Sequence, residues 1–476
     1  MKANPEQLKI CYIGGGSLNW AWVLMQDLAF EREISGTVYL YDIDLEAAKA
    51  NELIGNQIMN THNTGQWNFI AESSLQKSLE GSDFIFISIL PGDFKEMIVD
   101  VHSPERYGIY QSVGDTVGPG GLNRALRIIP LYEQIARAIA KWAPDAWVFN
   151  YTNPMSVCTR SLYKIFPEIK AFGCCHEVFG TQQLLMKVLV WAGKAKEEEL
   201  KRSDIVTNVI GINHFTWIDQ ASWKHSDLFP IYADFVAEFG EKGWHGGSHE
   251  NWMNEYFSSG ERVKMDLFKR YGLIAAAGDR HLAEFCPPGW YLKTPEMVKD
   301  WQFTLTPVSW RIAHREELKR KSEAYRKGVE TFTPENSGEE GILQIKALLG
   351  LRSLVTNVNL PNKGQIPGLP AGAVVETNAV FSRDSVRPVI TGGLPNPLEN
   401  LILQHIENQE GIVMAAVERD LNKAFGIFLN DPQIRNLSRE DAWELFKEMT
   451  SKTLPVSAGY TWGSGKSKKY VKTSIS

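Results

Sequence analysis

The chain has 476 residues, 43% of them hydrophobic, with a formal net charge of -6 and five cysteines. That length exceeds one ordinary hydrophobic core and predicts two domains, and no apolar run is long enough to span a membrane as a helix. The acidic balance, with no basic run before the last dozen residues, argues against nucleic acid as a partner. Cys11, Cys158, Cys174, Cys175 and Cys286 form an odd, unpatterned set, and Lys2 opens a polar start unlike a signal peptide. Free thiols and a cytoplasmic location are therefore expected.

Lys9-Ile10-Cys11-Tyr12-Ile13 is a short apolar run ending in Gly14-Gly15-Gly16-Ser17, and helical spacing follows over 18–30. This is strand, glycine turn, helix. Glycines let the backbone approach a pyrophosphate, and exposed N–H groups at a helix start favour its charge. A second strand, Val38-Tyr39-Leu40-Tyr41, ends in Asp42 at about the distance where a carboxylate takes the adenosine ribose hydroxyls, which favours NAD over its 2′-phosphorylated form. The third fingerprint glycine is replaced by Leu18 or Asn19, so an ordinary tight turn is the alternative.

The rhythm continues with a helix over 45–60, a strand over 84–89, a helix over 124–142 and a strand over 147–149. Alternation of this kind predicts a doubly wound parallel sheet of Rossmann type. Ligands of such sheets sit beyond the carboxyl ends of the strands. Three segments follow strands directly: Leu90-Pro91-Gly92-Asp93, Asn150-Tyr151-Thr152-Asn153-Pro154, and Cys174-Cys175-His176-Glu177 after Lys170-Ala171-Phe172. The charged segment 193–199 closes this half, and 333–338 reads as a loop before an apolar helix over 342–354. Strands near Ala373-Val374-Val375, a long helix over 397–428 and a last helix capped by Ser438, with Asp441 at the capping-box position, complete the chain. The expected division is a nucleotide-binding domain over 1–195, a second domain for substrate, metal and oligomerisation over 196–460, and a disordered tail over 461–476.

Buried cysteine and histidine after a strand often serve packing. Gly211-Ile212-Asn213-His214-Phe215 shifts the balance, because His214 follows another apolar strand, 206–210, and can return to the same cleft as Cys175. Two protein ligands leave coordination positions open, as a catalytic ion binding substrate oxygens requires. Ligand softness alone points to zinc or ferrous iron.

Ile13-Gly14-Gly15-Gly16-Ser17, the stretch from Gly114-Asp115-Thr116 to Gly120-Gly121, Asn150-Tyr151-Thr152-Asn153-Pro154, the Cys-His motif, Asn213-His214 and Gly278-Asp279 together resemble glycoside hydrolase family 4, in order along most of the chain. The resemblance implies a cytoplasmic glycosidase that needs NAD and a divalent metal, usually manganese. It implies a Rossmann domain joined to a larger α+β domain of the lactate/malate dehydrogenase C-terminal type, assembled as a homodimer or homotetramer. It also implies hydrolysis without net redox change: oxidation at C3 by NAD, removal of the acidified C2 proton, elimination, water addition and re-reduction. Ordinary two-carboxylate glycosidases work otherwise.

By the same resemblance Cys175 and His214 hold the metal, and Asn153 holds sugar hydroxyls. Gly14, Gly15, Gly16, Ser17, Asp42 and Pro91 face the cofactor, and Asn150 either touches the nicotinamide or supports its loop. Asp279 is the expected C2 base, with helix capping as its alternative. His176 is the expected general acid or a support of the metal shell, and Asp115 is its competitor.

Cys175-His176-Glu177-Val178 resembles the α-galacturonidase branch, whose substrates are short α-linked oligosaccharides of galacturonic acid; the α-galactosidase and α-glucuronidase branches are alternatives. Arg280 is the expected partner of the uronate, through a bidentate pair, with a surface or interface arginine as its alternative. Glu177 would repel a uronate that it faced. A 2-hydroxy acid dehydrogenase would suit the fold but leaves Cys175 and His214 unexplained, and a nucleotide-sensing scaffold explains only the glycine turn.

Overall fold

The computed structural model describes residues 3–62, 66–246 and 259–462. Strands β1 (Leu8–Ile13), β2 (Gly36–Tyr41), β3 (Trp67–Glu72), β4 (Phe84–Ile87), β5 (Trp147–Asn150) and β6 (Lys170–Gly173) pair in parallel in the order β3-β2-β1-β4-β5-β6. This is the expected Rossmann arrangement. Alternate side chains explain how one sheet builds two cores. Ile10, Tyr12, Phe84, Phe86, Phe149 and Phe172 meet the helices Trp20–Phe30, Leu45–Thr61 and Gly341–Leu348 on one face. Cys11, Ile13, Ile85, Ile87 and Val148 meet the helices Gly118–Trp142, Met155–Ile165 and Asn396–Val417 on the other.

A smaller antiparallel sheet follows, from β7 (Val206–Ile212), β8 (Phe215–Trp223), the short β9 (Ser226–Asp227) and β10 (Ile274–Ala275). The chain then returns to the first sheet. Strands β11 (Leu354–Pro361), β12 (Val374–Ser382) and β13 (Ser385–Pro388) add antiparallel beside β6, with Asn359 opposite Gly173. The nine-stranded sheet therefore draws on both sides of residue 195.

Three expected elements differ. The helix over 342–354 ends at Leu348, and Leu354 already begins β11. The long helix over 397–428 is two helices, Asn396–Val417 and Leu421–Asn430, because Arg419 turns left-handed (φ 58°) and Asp420 caps the second by accepting from the N–H groups of Asn422 and Lys423. Apolar spacing hides this break, since Val413, Ala416, Ala424 and Phe428 enter one core. The helix expected over 124–142 begins at Gly118, with Pro119 in its first turn. Ser438 does cap the last helix, accepting from the Asp441 N–H. Of the expected tail, Thr461 pairs with Asp420 and Trp462 packs on Trp443; residues 463–476 lie outside the described residues. No helix among the described residues is long and apolar enough to cross a membrane.

His405, on the helix Asn396–Val417, is buried against Phe285, and its Nε2 lies 2.7 Å from the Phe285 carbonyl oxygen. Burial lowers its pKa to about 4 from an ordinary 6.5. The unfolded chain thus binds the proton first, so the stability that neutral His405 contributes is present above pH 6.5 and is lost as the pH falls toward 4. His405→Gln is expected to flatten the loss of Tm across that window; an unchanged pH profile would remove His405 as a source of acid sensitivity.

Candidate active site

Because β1, β2, β4, β5 and β6 are parallel, the segments after them leave at one edge. Gly14 there has φ 100°, and a Cβ would lie 1.9 Å from the Ser88 carbonyl oxygen, so only glycine fits. The Gly14 and Gly15 N–H groups both donate to Tyr41 O (2.9 Å), Gly16 N–H to Asp42 Oδ2 (2.8 Å) and Ser17 N–H to Gly14 O (3.0 Å). The expected free donors of this turn are spent on its shape, leaving close backbone approach as its service to a dinucleotide. Asp42, just after β2, braces the turn. Asn51, unremarked in the sequence, donates to Gly15 O (2.8 Å) and Ser17 O (2.9 Å) and accepts from Trp22 Nε1 (2.8 Å).

After β4, Pro91 O accepts from Arg127 Nε (3.3 Å), and Arg127 pairs with Asp100 in the core. After β5, Asn150 is buried: its Oδ1 accepts from Tyr132 Oη and Thr152 N–H, and its Nδ2 donates to Thr152 O and Thr159 Oγ1. These bonds favour the loop-supporting alternative for Asn150. Asn153 differs. Its Nδ2 reaches Asp115 Oδ2 (3.3 Å), and its buried Oδ1 has no protein partner, an acceptor suited to a sugar hydroxyl.

Asp115, His214 and His281 bring one possible ligand atom each to within 4.8 Å of one another. His214 arrives on a two-residue turn, Ile212 pairing with Phe215, with φ 63°. A non-glycine residue held there is strained, a cost found where function requires the placement. From below, buried Glu376 on β12 accepts from Thr216 Oγ1 (3.0 Å), Asn357 Nδ2 (2.7 Å) and Asn213 Nδ2 (3.4 Å). The His214 ring stacks on His281 with centroids 3.8 Å apart. Burial and the neighbouring His281 lower its pKa to about 3, so it is neutral. Thr116 Oγ1 donates to Asp115 Oδ1 (2.7 Å) and lies 2.8 Å from His214 Nδ1. One hydroxyl proton serves one acceptor, so His214 Nδ1–H donates to Thr116 and Nε2 keeps its lone pair. Thr116→Val should therefore cost roughly 10- to 100-fold in metal affinity by releasing the tautomer. Calorimetric manganese titration checks this, and an unchanged affinity would remove Thr116 from that role.

Burial opposes charge on Asp115, but the charges of Arg124 and His281 outweigh it and hold the carboxyl below the usual range. Burial likewise opposes charge on His281, yet Glu177 raises its pKa; Glu177 Oε1 lies 3.4 Å from His281 Nδ1, and Oε2 accepts from Gly278 N–H (2.6 Å). The charge of Glu177 is thus met within the protein, and its part is to position His281. That histidine was overlooked although it stands two residues beyond Asp279. Residues two apart on a helix do not share a face. Here His281 takes the face toward the cluster and Asp279 the one toward the helix Arg262–Tyr271, whose Val263 and Lys264 N–H groups it accepts (3.1 and 3.0 Å), with Ser259 Oγ at 2.8 Å. Asp279 caps a helix, though not the following one, and its buried carboxylate, at a pKa of about 6 from burial and nearby Glu261, stands outside the three-residue cluster.

Arg280 makes its contacts within the fold. Its guanidinium donates to Thr304 O (3.1 Å) and Ser112 O, and it is 5% exposed, so it fastens two loops. Cys175 is outside the three-residue cluster but beside it: Asn213, the residue before His214, hydrogen-bonds its thiol, whose pKa burial and then Glu376 push well up. His176 leans to the nucleotide side, stacked on Trp20 (5.7 Å) with Nδ1 2.9 Å from Glu339 Oε1. Burial opposes its charge, but the Glu339 carboxylate prevails and raises its pKa to about 9.

A carboxylate and two imidazoles converging on one point, with a thiol adjacent and the orphaned oxygen of Asn153 nearby, fit a divalent ion that also binds a polyol. The chain is 56% identical over 444 residues to an α-galacturonidase of Thermoanaerobacter italicus, covering 93% of this chain and 96% of that one. It is 53% identical to one of Bacillus subtilis, covering 93% and 97%, and 28% identical to a B. subtilis α-galactosidase, covering 89% and 93%. The solved structure of lplD from B. subtilis superposes with a TM-score of 0.88 at 52% identity over 93% of this chain and 99% of that one. A Thermotoga maritima 6-phospho-β-glucosidase solved with manganese, NAD+ and glucose-6-phosphate shares the fold (TM-score 0.74, 19% identity, 94% and 98% covered). The family 4 glycosyl hydrolase model matches residues 9–191 and its C-terminal domain model matches 209–434, so the chain belongs to glycoside hydrolase family 4.

Proposed function

We propose that this protein is an NAD- and manganese-dependent α-galacturonidase acting on short α-linked oligosaccharides. The observation that carries the reading is 51–57% identity, over more than nine-tenths of the chain, to four proteins named α-galacturonidase. When bound, the two cofactors supply a reversible hydride acceptor and positive charge where negative charge develops on the sugar oxygens. Asp115, His214 and His281 would hold the ion, with Cys175 beside them. Asn153 Oδ1 would accept from a sugar hydroxyl and fix the ring. Glu177 keeps His281 in place, and Thr116 keeps the His214 lone pair free. At neutral pH His176, held cationic by Glu339, is a proton donor for the leaving aglycone. Five free thiols suit a reducing compartment and support a cytoplasmic location.

The test is hydrolysis of nitrophenyl α-galacturonide and α-galactoside with and without NAD and manganese. Release of galacturonic acid that needs both additives, with no accumulating NADH, is the expected result. Preference for the neutral galactoside would overturn the substrate, and accumulating NADH would overturn the hydrolytic cycle.

A further inference from the structure

With Arg280 spent on backbone carbonyls, a uronate needs another cation. Arg124 and Arg311 are electrostatic neighbours of Asp115, and Arg127 is a neighbour of Arg124 on the same helix. Arg127 is paired with Asp100, and Arg124 donates through Nε to Asn153 O (3.0 Å). Arg311 is different: it is half-buried and its side chain, among the described residues, makes no hydrogen bond or ion pair.

Its placement follows from the helix Val308–Arg326. Thr306 N–H donates to Ser112 O (3.3 Å) just before the helix, and Val308 packs on Met97 and Val101. One turn beyond Arg311, on the same helix face, Arg315 pairs with Asp93 (2.6 Å) in the loop after β4. Arg311 is thus held between the segment leading to Asp115 and the carboxyl edge of the parallel sheet. Its electrostatic neighbours are Asp115, Arg124, Glu284 and Arg280. These are residues of the sugar side and not of the glycine turn. Leaving a guanidinium partly desolvated and unpaired is costly, and a carboxylate with two coplanar oxygens relieves that cost best.

We propose that Arg311 is the specificity-determining residue that binds the C6 carboxylate of the galacturonosyl unit. This rests on the galacturonidase reading. Losing a charged, partly buried pair should weaken uronate recognition by roughly tenfold to a hundredfold. Calorimetry on protein loaded with NAD and manganese, titrated with galacturonate and with galactose, reads it directly. In Arg311→Met the galacturonate Kd should rise by that factor relative to the galactose Kd, and Arg311→Lys, which keeps the charge but loses the fork, should fall between. Equal weakening of both sugars would show a structural role, and unchanged Kd values for both would show none; either overturns the proposal. Should Arg311→Met fail to fold, the lysine variant's ratio decides in the same way. Wild-type protein that hydrolyses galacturonides yet shows no Arg311 dependence refutes the residue alone. Wild type that prefers the neutral sugar refutes the function first.

Discussion

Replacing His214 with alanine is expected to abolish glycoside hydrolysis while sparing NAD binding. The imidazole is neutral, its Nδ1–H is committed to Thr116, and its position beside Asp115 and His281 leaves one lone pair for an ion. Metal stabilisation of developing oxyanions is worth several kcal/mol, so its loss should cost roughly a thousandfold or more in kcat/KM. The backbone supplies a control. His214 sits at φ 63°, which asparagine tolerates better than alanine, so His214→Asn should keep the turn and its Tm but lose manganese affinity. Turnover in His214→Asn within about tenfold of wild type would show that the imidazole does not hold the metal; at roughly 1.4 kcal/mol that is too little for a lost ligand.

The second large effect concerns stability. Asp100 and Arg127 form a buried pair with side chains only 1% and 4% exposed, and Asn123 Nδ2 adds a hydrogen bond to Asp100 Oδ1 (2.7 Å). Removing one partner leaves the other charge uncompensated, at a cost of about 3–5 kcal/mol. Asp100→Ala should therefore unfold at markedly lower denaturant concentration. Asp100→Leu combined with Arg127→Met should recover much of that loss, because the pair as a whole contributes far less than either half left alone. The double variant should still bind NAD more weakly, since Arg127 also anchors Pro91 O in the loop after β4. A single variant within about 1 kcal/mol of wild type would mean that water reaches the pair.

The parallel half of the fold was legible in the sequence because its signals are local. Apolar runs, glycines and strand-helix alternation need no distant partner, and parallel strands place every following loop at one edge. Gly14, Asp42, Asn153 and Cys175 could be collected on that ground, whereas His214, on the antiparallel turn between β7 and β8, stood out only by following an apolar run and through the family resemblance. The antiparallel extension was not legible: β11 pairs with β6 across 186 positions in sequence, Asn359 to Gly173, and no local pattern encodes such a partner. Side-chain direction was hidden for a similar reason. Asp279, Arg280 and His281 are consecutive on one helix, and residue type singled out the first two but not the third. The helix phase turned Asp279 to cap Arg262–Tyr271, Arg280 to fasten the Ser112 and Thr304 loops, and His281 to the cluster. Composition and spacing thus determined the nucleotide-binding architecture and the kinds of residue at its edge. Tertiary packing decided which of those residues remain free for a ligand, because a side chain's partners depend on what the rest of the chain brings beside it.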